Sequence, residues 1–253
     1  MIDWFRGSIR LRHKPLPCGM VLCVSPEGCV EWQVARSTRA RGSHESSLQL
    51  KSDHLDSDGI AGTLLIDGNL SKFLQGHNLF GSLDLNRLLE KTLLYLKATG
   101  AITVNDLDLQ KSLLFIRKGA YQVRALDINQ CYQLDNDAAV ETWLYAAEMQ
   151  ASRRGGRTTS KRGTIYIGQH SRRWAIKFYN KYREMLKNQN DTHLEFDRLL
   201  GHSRGLLRVE LRLLSKELKQ LGLTTGAQLC SDTLTRLYNE YLLKINLKAN
   251  AVI

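Results

Sequence analysis

The chain lacks an apolar run that could cross a bilayer, since none of its stretches approaches the roughly 20 consecutive apolar residues that a spanning helix needs. Its first residues, Met1-Ile-Asp-Trp-Phe-Arg, have no apolar core of the kind that a signal peptide carries. The five cysteines are odd in number and none is spaced as Cys-x-x-Cys, which argues against a disulfide framework or a zinc site. We therefore expect reduced thiols, no membrane partner and a cytoplasmic location.

No dinucleotide-binding or P-loop glycine pattern is present, which disfavours a Rossmann-type nucleotide site or an ATPase. Positive charge, by contrast, is in excess: 36 Lys and Arg against 25 Asp and Glu give a formal net charge of +11. This excess favours a polyanionic partner, either nucleic acid or an acidic membrane surface. Scattered positive charge is also common in proteins that bind neither, so charge alone leaves the partner open.

Strand-like and helix-like segments alternate along the 253 residues, of which 43% are hydrophobic, enough to bury a substantial core. The pattern predicts an α+β fold with a central antiparallel sheet, helices packed on one face, extra N-terminal strands and C-terminal helices. We predict three parts: a β-rich N-terminal extension at 1–56, a core at 57–214, and a C-terminal helical segment at 215–253. The polar stretch 52–59 is predicted to be a loop.

The segment 173–181 alternates as a strand does. Its large apolar residues fall on one face, and Lys177, Tyr179 and Lys181 fall on the other, which we expect to face solvent. This places a phenol between two ammonium groups in the most basic region of the chain. A tyrosine in such surroundings is suited to attack a phosphodiester, although an ordinary surface tyrosine fits the same pattern.

Two further strands carry polar faces. Asp127 and Asn129 project from one side of the first, and Arg208, Glu210 and Arg212 from one side of the second. If the strands share a sheet with Tyr179, one face collects carboxylates, an amide and cations. Oxygen ligands of this kind suit magnesium or manganese. Periodicity alone leaves open a solvated ladder of ion pairs.

A basic run follows residue 152, with Gly155 and Gly156 inside it. It consists of Arg153, Arg154, Arg157, Lys161, Arg162, Arg172 and Arg173. A loop that wraps a DNA backbone has this composition. The alternative is an exposed loop whose charge is incidental.

Four elements resemble, in order and approximate spacing, those of the filamentous-phage replication initiators, the gene II protein family. Residues 74–81 read LQGHNLFG, and residues 124–127 are similar to the R-x-D strand of that family. Residues 179–184 are similar to its Y-x-K-x-x-E element, and residues 207–212 to its R-x-E-x-R strand. The resemblance covers roughly residues 60–215.

The resemblance implies a single-strand DNA endonuclease and religase of the HUH type that starts and ends rolling-circle replication of phage DNA. A tyrosine would attack the origin, keep the 5′ phosphate as a phosphotyrosine and leave a free 3′-OH. The implied partners are origin DNA, at its plus-strand nick site, and the host replicative helicase and polymerase, in the host bacterial cytoplasm. The alternative is a non-catalytic origin-binding protein or repressor on the same scaffold.

On the matching motifs, Tyr179 would be the nucleophile, with Lys181 as its electrostatic partner and Lys177 also favouring the phenolate. Asp127 and Glu210 would be the leading ligands of Mg²⁺ or Mn²⁺, with Glu184 and Asn129 as lesser candidates. The chain departs from the HUH pattern because it has no His-hydrophobic-His triplet. Asp127-Ile-Asn129 stands in that strand, so oxygen atoms would have to bind the metal.

The remaining candidates concern DNA. His77 and Asn78 of the GHN element would either contact DNA or brace a turn, and these alternatives stay open. Lys177 and the basic run would bind the backbone. His170, in the predicted hairpin turn, is a weaker candidate for metal or DNA. Tyr182 would be a second nucleophile only if the protein used paired tyrosines; packing or DNA stacking is the alternative.

Overall fold

A computed structural model describes residues 1–152, 158–161, 163–187 and 195–245. Nine strands form one antiparallel sheet: β1 (Ile2–His13), β4 (Thr38–Arg41), β5 (Ser47–Leu55), β6 (Ala61–Gly68), β7 (Gln122–Gln133), β8 (Thr158–Lys161), β9 (Thr164–Ile167), β10 (Trp174–Asn180) and β11 (Leu206–Leu214). Their order is β4-β5-β6-β1-β7-β11-β10-β9-β8. A separate hairpin pairs β2 (Met20–Val24) with β3 (Val30–Ala35).

The described helices are α1 (Leu70–Gln75), α2 (Leu85–Ala98), α3 (Asp106–Arg117), α4 (Asp137–Ser152), α5 (Lys181–Leu186), α6 (Phe196–His202), α7 (Ser215–Gln220) and α8 (Ser231–Ile245). Short polar side chains cap several of them: Asp84 accepts a hydrogen bond at the start of α2, and Asn180 does so at α5. Within the described ranges, no helix has the length and apolar character to span a membrane.

One continuous core lies between the apolar face of the sheet and the helices. Phe178 of β10 packs on Trp143 of α4, with ring centroids 5.5 Å apart, and Trp174 packs edge-on against Tyr241 of α8 at 5.2 Å. Buried leucines of α2 and α3 extend this core under β1. The predicted α+β fold, an antiparallel sheet with packed helices, is confirmed and is consistent with an HUH-endonuclease-like fold.

The N-terminal strand β1 lies in the middle of the sheet, between β6 and β7. The division of the chain at residues 56 and 214 stays a prediction, but its first segment contributes this central strand. One local expectation was wrong: β5 continues to Leu55 because residues 49–55 pair with β6, so the turn is confined to the residues that follow.

The opposite face of the sheet is polar, and it is covered at one end. Leu206 of β11 lies beside a small second apolar cluster formed by Leu79, Met185 and Leu199. These residues come from the segment 76–83, from α5 and from α6. The polar residues of the neighbouring strands are therefore enclosed at this end.

Candidate active site

Three adjacent strands bring the predicted polar residues together. In register, Tyr179 faces Arg208 and Lys177 faces Glu210 across β10 and β11. On the other side of β11, Glu210 faces Asn129 and Arg212 faces Asp127 of β7. The expectation that these strands share a sheet and present one polar face is thereby met.

The expectation that this face is solvated was wrong. Arg208 is 0% exposed, Lys181 1% and Glu210 2%, and Tyr179 and Asp127 are also buried. The reason is the cover provided by the segment 76–83 and α5, which the strand pattern alone does not reveal. Buried charges of this kind persist only when they are paired or hydrogen-bonded.

Tyr179, Glu210 and Lys177 form the centre of the site. The Tyr179 hydroxyl donates to Glu210 Oε1, and Lys177 Nζ forms an ion pair with the other carboxylate oxygen. Lys177 Nζ also lies 5.3 Å from the centroid of the Tyr179 ring. A hydroxyl held by a carboxylate is the arrangement of a nucleophile and its base.

The ionisation of this pair differs from the expectation that lysines favour the phenolate. Burial, followed by the negative charge of Glu210, raises the pKa of Tyr179 well above its ordinary value. Burial also raises the pKa of Glu210, against the opposing effect of Lys177. Without DNA, the phenol is therefore neutral, and it is held against the side chain of Glu210.

Lys181 begins α5, because Asn180 ends the strand and caps the helix. Its Nζ lies 2.9 Å from Asn78 Oδ1 and 2.5 Å from Glu184 Oε2. Burial lowers the pKa of Lys181. Lys181 therefore binds Asn78 and Glu184. Glu184 was expected to be a lesser metal ligand, but its carboxylate is paired with the Lys181 ammonium group.

Asn78 joins four parts of the chain. Gly76, with φ of 82°, turns the chain out of α1 in a left-handed conformation that glycine adopts without strain. Asn78 Nδ2 then donates to Asp3 Oδ1 at 2.8 Å, and its backbone oxygen accepts from Arg208 Nη2 at 2.7 Å. Of the two alternatives for the GHN element, this geometry favours bracing for Asn78, while His77 packs edge-on to Phe80.

Asp127 and Asn129 have different surroundings. Arg212 Nε and Nη2 hold both oxygens of Asp127, at 3.0 Å and 2.6 Å. Burial raises the pKa of Asp127, and this bidentate pair opposes the effect. The side-chain nitrogen and oxygen of Asn129 are buried and find no hydrogen-bond partner among the described residues.

Asp127, Glu210 and Asn129 carry the side-chain oxygen atoms that a hard cation prefers. The carboxamide of Asn129, opposite Glu210 in the sheet, has no hydrogen-bond partner among the described residues. The three residues do not form a ready cage, because cations already neutralise the carboxylates. In the part of the chain that the structure describes, no group of three or more His, Cys, Asp or Glu residues is arranged to hold a metal ion.

Two openings lead to this centre. A groove of about 450 Å³ is lined by Asp127, Tyr166, His170, Lys177, Glu210 and Arg212, among others. A smaller cavity of about 160 Å³ includes Tyr166, Lys177 and Tyr179 in its walls. Tyr166 and Lys177 border both openings, and Tyr179 lies in the wall of the smaller one.

The family model for the N-terminal part of the phage replication-associated protein, the gene II protein, matches residues 1–232. The chain belongs to this family. It is 35% identical to the replication-associated protein of Enterobacteria phage I2-2 over 258 residues, covering 100% of this chain and 74% of that protein. The resemblance to filamentous-phage replication initiators is confirmed, and the match extends it beyond residues 60–215 to the N-terminal strands.

The basic residues of this member of the gene II protein family differ in their exposure and in their contacts. Lys161 and Arg172 are exposed, while Arg173 binds Glu217 and Gln220 of α7. Residues 153–157 and 162, which include Arg153, Arg154, Arg157 and Arg162, lie outside the described residues. His170 is exposed at the groove, and Tyr182 lies under Arg204, whose guanidinium carbon is 4.6 Å from its ring centroid.

We expect Arg173→Ala to destabilise the fold, because Arg173 Nε lies 2.5 Å from the buried carboxylate of Glu217. Burial alone would raise the pKa of Glu217, but hydrogen bonds from Tyr241 and Arg173 lower it overall. A lowered folded-state pKa gives stability that is present above the unfolded pKa and lost as pH falls through the folded one. Arg173→Ala should lower the free energy of unfolding by about 1–2 kcal/mol near neutral pH.

Urea unfolding at pH 7 and at acidic pH measures the stability of Arg173→Ala and of wild type. The difference in their free energies of unfolding should shrink in acid, because Glu217 becomes protonated. Arg172→Ala, at the exposed neighbour, is the control and should change stability little. An Arg173→Ala protein as stable as this control would contradict the structural role.

Proposed function

We propose that the chain is a site-specific single-strand DNA endonuclease and religase that initiates and terminates rolling-circle replication of phage DNA. The observation that carries the proposal is the Tyr179 hydroxyl, hydrogen-bonded to Glu210, with Tyr179 in the wall of one opening and Glu210 in the wall of the other. Membership of the replication-associated protein family supports the replication role.

In cleavage, Tyr179 Oη attacks the phosphorus of the scissile phosphodiester. The Oη–P bond forms and the P–O3′ bond breaks. Glu210 takes the phenol proton and passes it to solvent, and the departing O3′ takes one proton from solvent, so none is gained or lost. The 5′ phosphate stays on Tyr179, and attack by a 3′-OH reverses the step. Because the number of ester bonds is conserved, resealing needs no ATP, in line with the missing P-loop.

Lys177 and Arg212 are placed to contact the nonbridging oxygens. Their side chains are 32% and 50% exposed, while Glu210 and Asp127 beneath them are buried. Burial alone would lower the pKa of Lys177, but Glu210 raises it overall, so the ammonium stays charged at neutral pH. Fixed cations at the phosphate favour the charge that develops there.

We further propose that Asp127, Glu210 and the Asn129 carboxamide oxygen bind Mg²⁺ or Mn²⁺. Arg212 and Lys177 are exposed enough to move aside when the ion enters. Glu184 is the weaker candidate because Lys181 holds it. The ion would polarise the scissile phosphate.

Origin DNA, with its plus-strand nick site, is the proposed partner, followed by the host replicative helicase and polymerase in the host bacterial cytoplasm. The second candidate is a non-catalytic origin-binding protein or repressor. The buried Tyr179–Glu210 pair favours the enzyme, since a DNA-binding scaffold has no need of a phenol held by a base.

The test uses the supercoiled double-stranded genome of the phage that encodes the chain, with Mg²⁺ or Mn²⁺. We expect open circles with protein linked to the 5′ end, and closed circles after rejoining. Binding to this DNA without any covalent product, with either metal, would support the repressor instead.

For the exposed basic residues, we expect Lys161→Ala and Arg172→Ala to weaken origin binding and reduce its salt dependence. Each lost phosphate contact should lower the slope of log affinity against log salt by about one. Binding isotherms at several salt concentrations measure the slope. Lys111→Ala, an exposed lysine of α3, is the control and should leave it unchanged. Equal slopes in all variants would refute backbone contacts by Lys161 and Arg172.

A further inference from the structure

The polar face of the sheet continues past the groove that Asp127 lines, onto the N-terminal strands. In register, Trp4 of β1 faces Asp127 of β7, and Arg6 of β1 faces Asp67 of β6. Asp67 in turn faces Gln49 of β5. Directly opposed residues of antiparallel strands project from the same face of the sheet. These side chains therefore form a row that begins beside the groove.

This row is open to solvent, unlike the buried residues around Tyr179. Trp4 is 38% exposed, and Arg6 and Gln49 are also exposed. The row ends at Arg39 of the edge strand β4, which faces Gln49 and is exposed as well. The fold thus leaves a large aromatic ring uncovered on the strand next to the groove, with arginines on the same face.

The indole of Trp4 is held in place by its neighbours. Its Nε1 donates to Asp67 Oδ1 at 2.7 Å, and Arg6 Nε donates to Asp67 Oδ2 at 2.6 Å. The carboxylate is therefore neutralised and fixes one edge of the ring. The contact uses one of several N–H donors of the Arg6 guanidinium, and this side chain is 58% exposed, so the other donors can bind a phosphate.

We propose that this row is a binding path for single-stranded DNA, on which Trp4 stacks against an unpaired base and Arg6 and Arg39 bind the backbone. The inference rests on the proposed function, since the path extends the strand whose scissile phosphate lies at Lys177 and Arg212. The strands β11 and β1 are two spacings apart in the sheet, or about 10 Å. The stacked base therefore belongs to a nucleotide close to the nick.

The chemistry of the row favours an unpaired strand over other partners. In a duplex the bases stack on one another and offer only their edges to a protein, whereas an unpaired base offers its ring face. Aromatic side chains interleaved with cations are typical of surfaces that bind single strands. Apart from Trp4 the row is polar, so it lacks the wide apolar patch that a protein partner would need.

The first experiment measures binding without cleavage. A labelled single-stranded oligonucleotide spanning the plus-strand nick site is titrated with protein in EDTA, and its fluorescence anisotropy is followed. We expect Trp4→Ala to weaken binding about 10-fold or more, and Trp4→Phe to weaken it less, because a phenyl ring still stacks. Trp32→Ala is the matched control, since Trp32 is 51% exposed but lies on the separate hairpin, and its affinity should equal that of wild type.

Trp4→Ala also removes the contact to Asp67, so weaker binding alone would not separate stacking from structure. The second experiment uses oligonucleotides with a single abasic site at successive positions. We expect the removal of one base near the nick to weaken binding by wild type, and to leave binding by Trp4→Ala unchanged, because this variant has no ring to stack on it. Equal penalties in both proteins at every position would assign Trp4 a structural role and overturn the proposal.

Thermal unfolding checks that each variant is folded, and if Trp4→Ala is not, Trp4→Leu against Trp4→Phe gives the same comparison. A duplex of the same sequence should show no penalty for Trp4→Ala, and a penalty as large as on the single strand would refute stacking on an unpaired base. Unchanged affinity in a folded Trp4→Ala protein would also refute the path, even if wild type nicks supercoiled DNA. If wild type shows the Trp4-dependent binding but never nicks, the proposed function fails and the path stands.

Discussion

Tyr179→Phe is expected to abolish covalent nicking while leaving origin binding intact. The phenol oxygen forms the bond to phosphorus, and phenylalanine keeps the ring that packs in the site. Loss of a nucleophile should reduce the cleavage rate by at least about 1000-fold. The measurement is the yield of protein linked to the 5′ end, on denaturing gels, beside binding measured by gel shift.

Tyr182→Phe and Tyr166→Phe are the matched controls, because both remove a phenol near the site without touching Tyr179. Each should keep most of the activity. A Tyr182→Phe protein that cleaves once but fails to rejoin would indicate paired tyrosines. Full activity in Tyr179→Phe would end the assignment of the nucleophile.

The alternation within residues 174–180 was enough to place Tyr179 opposite the apolar face, and the R-x-E-x-R strand supplied its neighbours. The pattern did not predict what covers them. That cover comes from Asn78 and Leu79, about 100 residues earlier in the chain, and sequence spacing does not report such a contact. A polar strand face therefore looked solvated although it is buried.

Lys181 shows a different limit. Strand alternation was extended one residue too far, since Asn180 caps α5 and Lys181 is already helical. A short polar residue followed by a helical run is a capping signal, and it competes with the strand pattern at this point. The ammonium is consequently turned toward Asn78 and Glu184.

Two features were missed for opposite reasons. The strand β1 was available from the sequence, because Ile9, Leu11 and His13 alternate with exposed Arg10 and Arg12. The burial of Arg208 was not available from the sequence, because periodicity groups this residue with Arg212. Arg208 is buried without a counter-ion among the described residues, whereas Arg212 is half-exposed and paired with Asp127. Only the register and the burial separate them.

Glu210→Gln should have the second large effect. Glutamine has nearly the same shape and can still accept the Tyr179 hydrogen bond, but it cannot take the proton. Loss of a general base should slow cleavage by roughly 100- to 10,000-fold. Because burial raises the pKa of Glu210, wild-type activity should fall with decreasing pH earlier than for an ordinary glutamate, and the variant should lose this acid limb.

Titration with Mg²⁺ separates a base from a metal ligand. If Glu210 only bound the ion, high metal concentration would restore Glu210→Gln. We expect no restoration, because the missing group is the proton acceptor on Oε1. Asp127→Asn is the comparison: it keeps the base and weakens the proposed metal site, so it should need more metal and approach wild-type rates at saturation. If high Mg²⁺ restored the cleavage rates of Glu210→Gln and Asp127→Asn to the same extent, Glu210 would be a metal ligand and not the base for Tyr179.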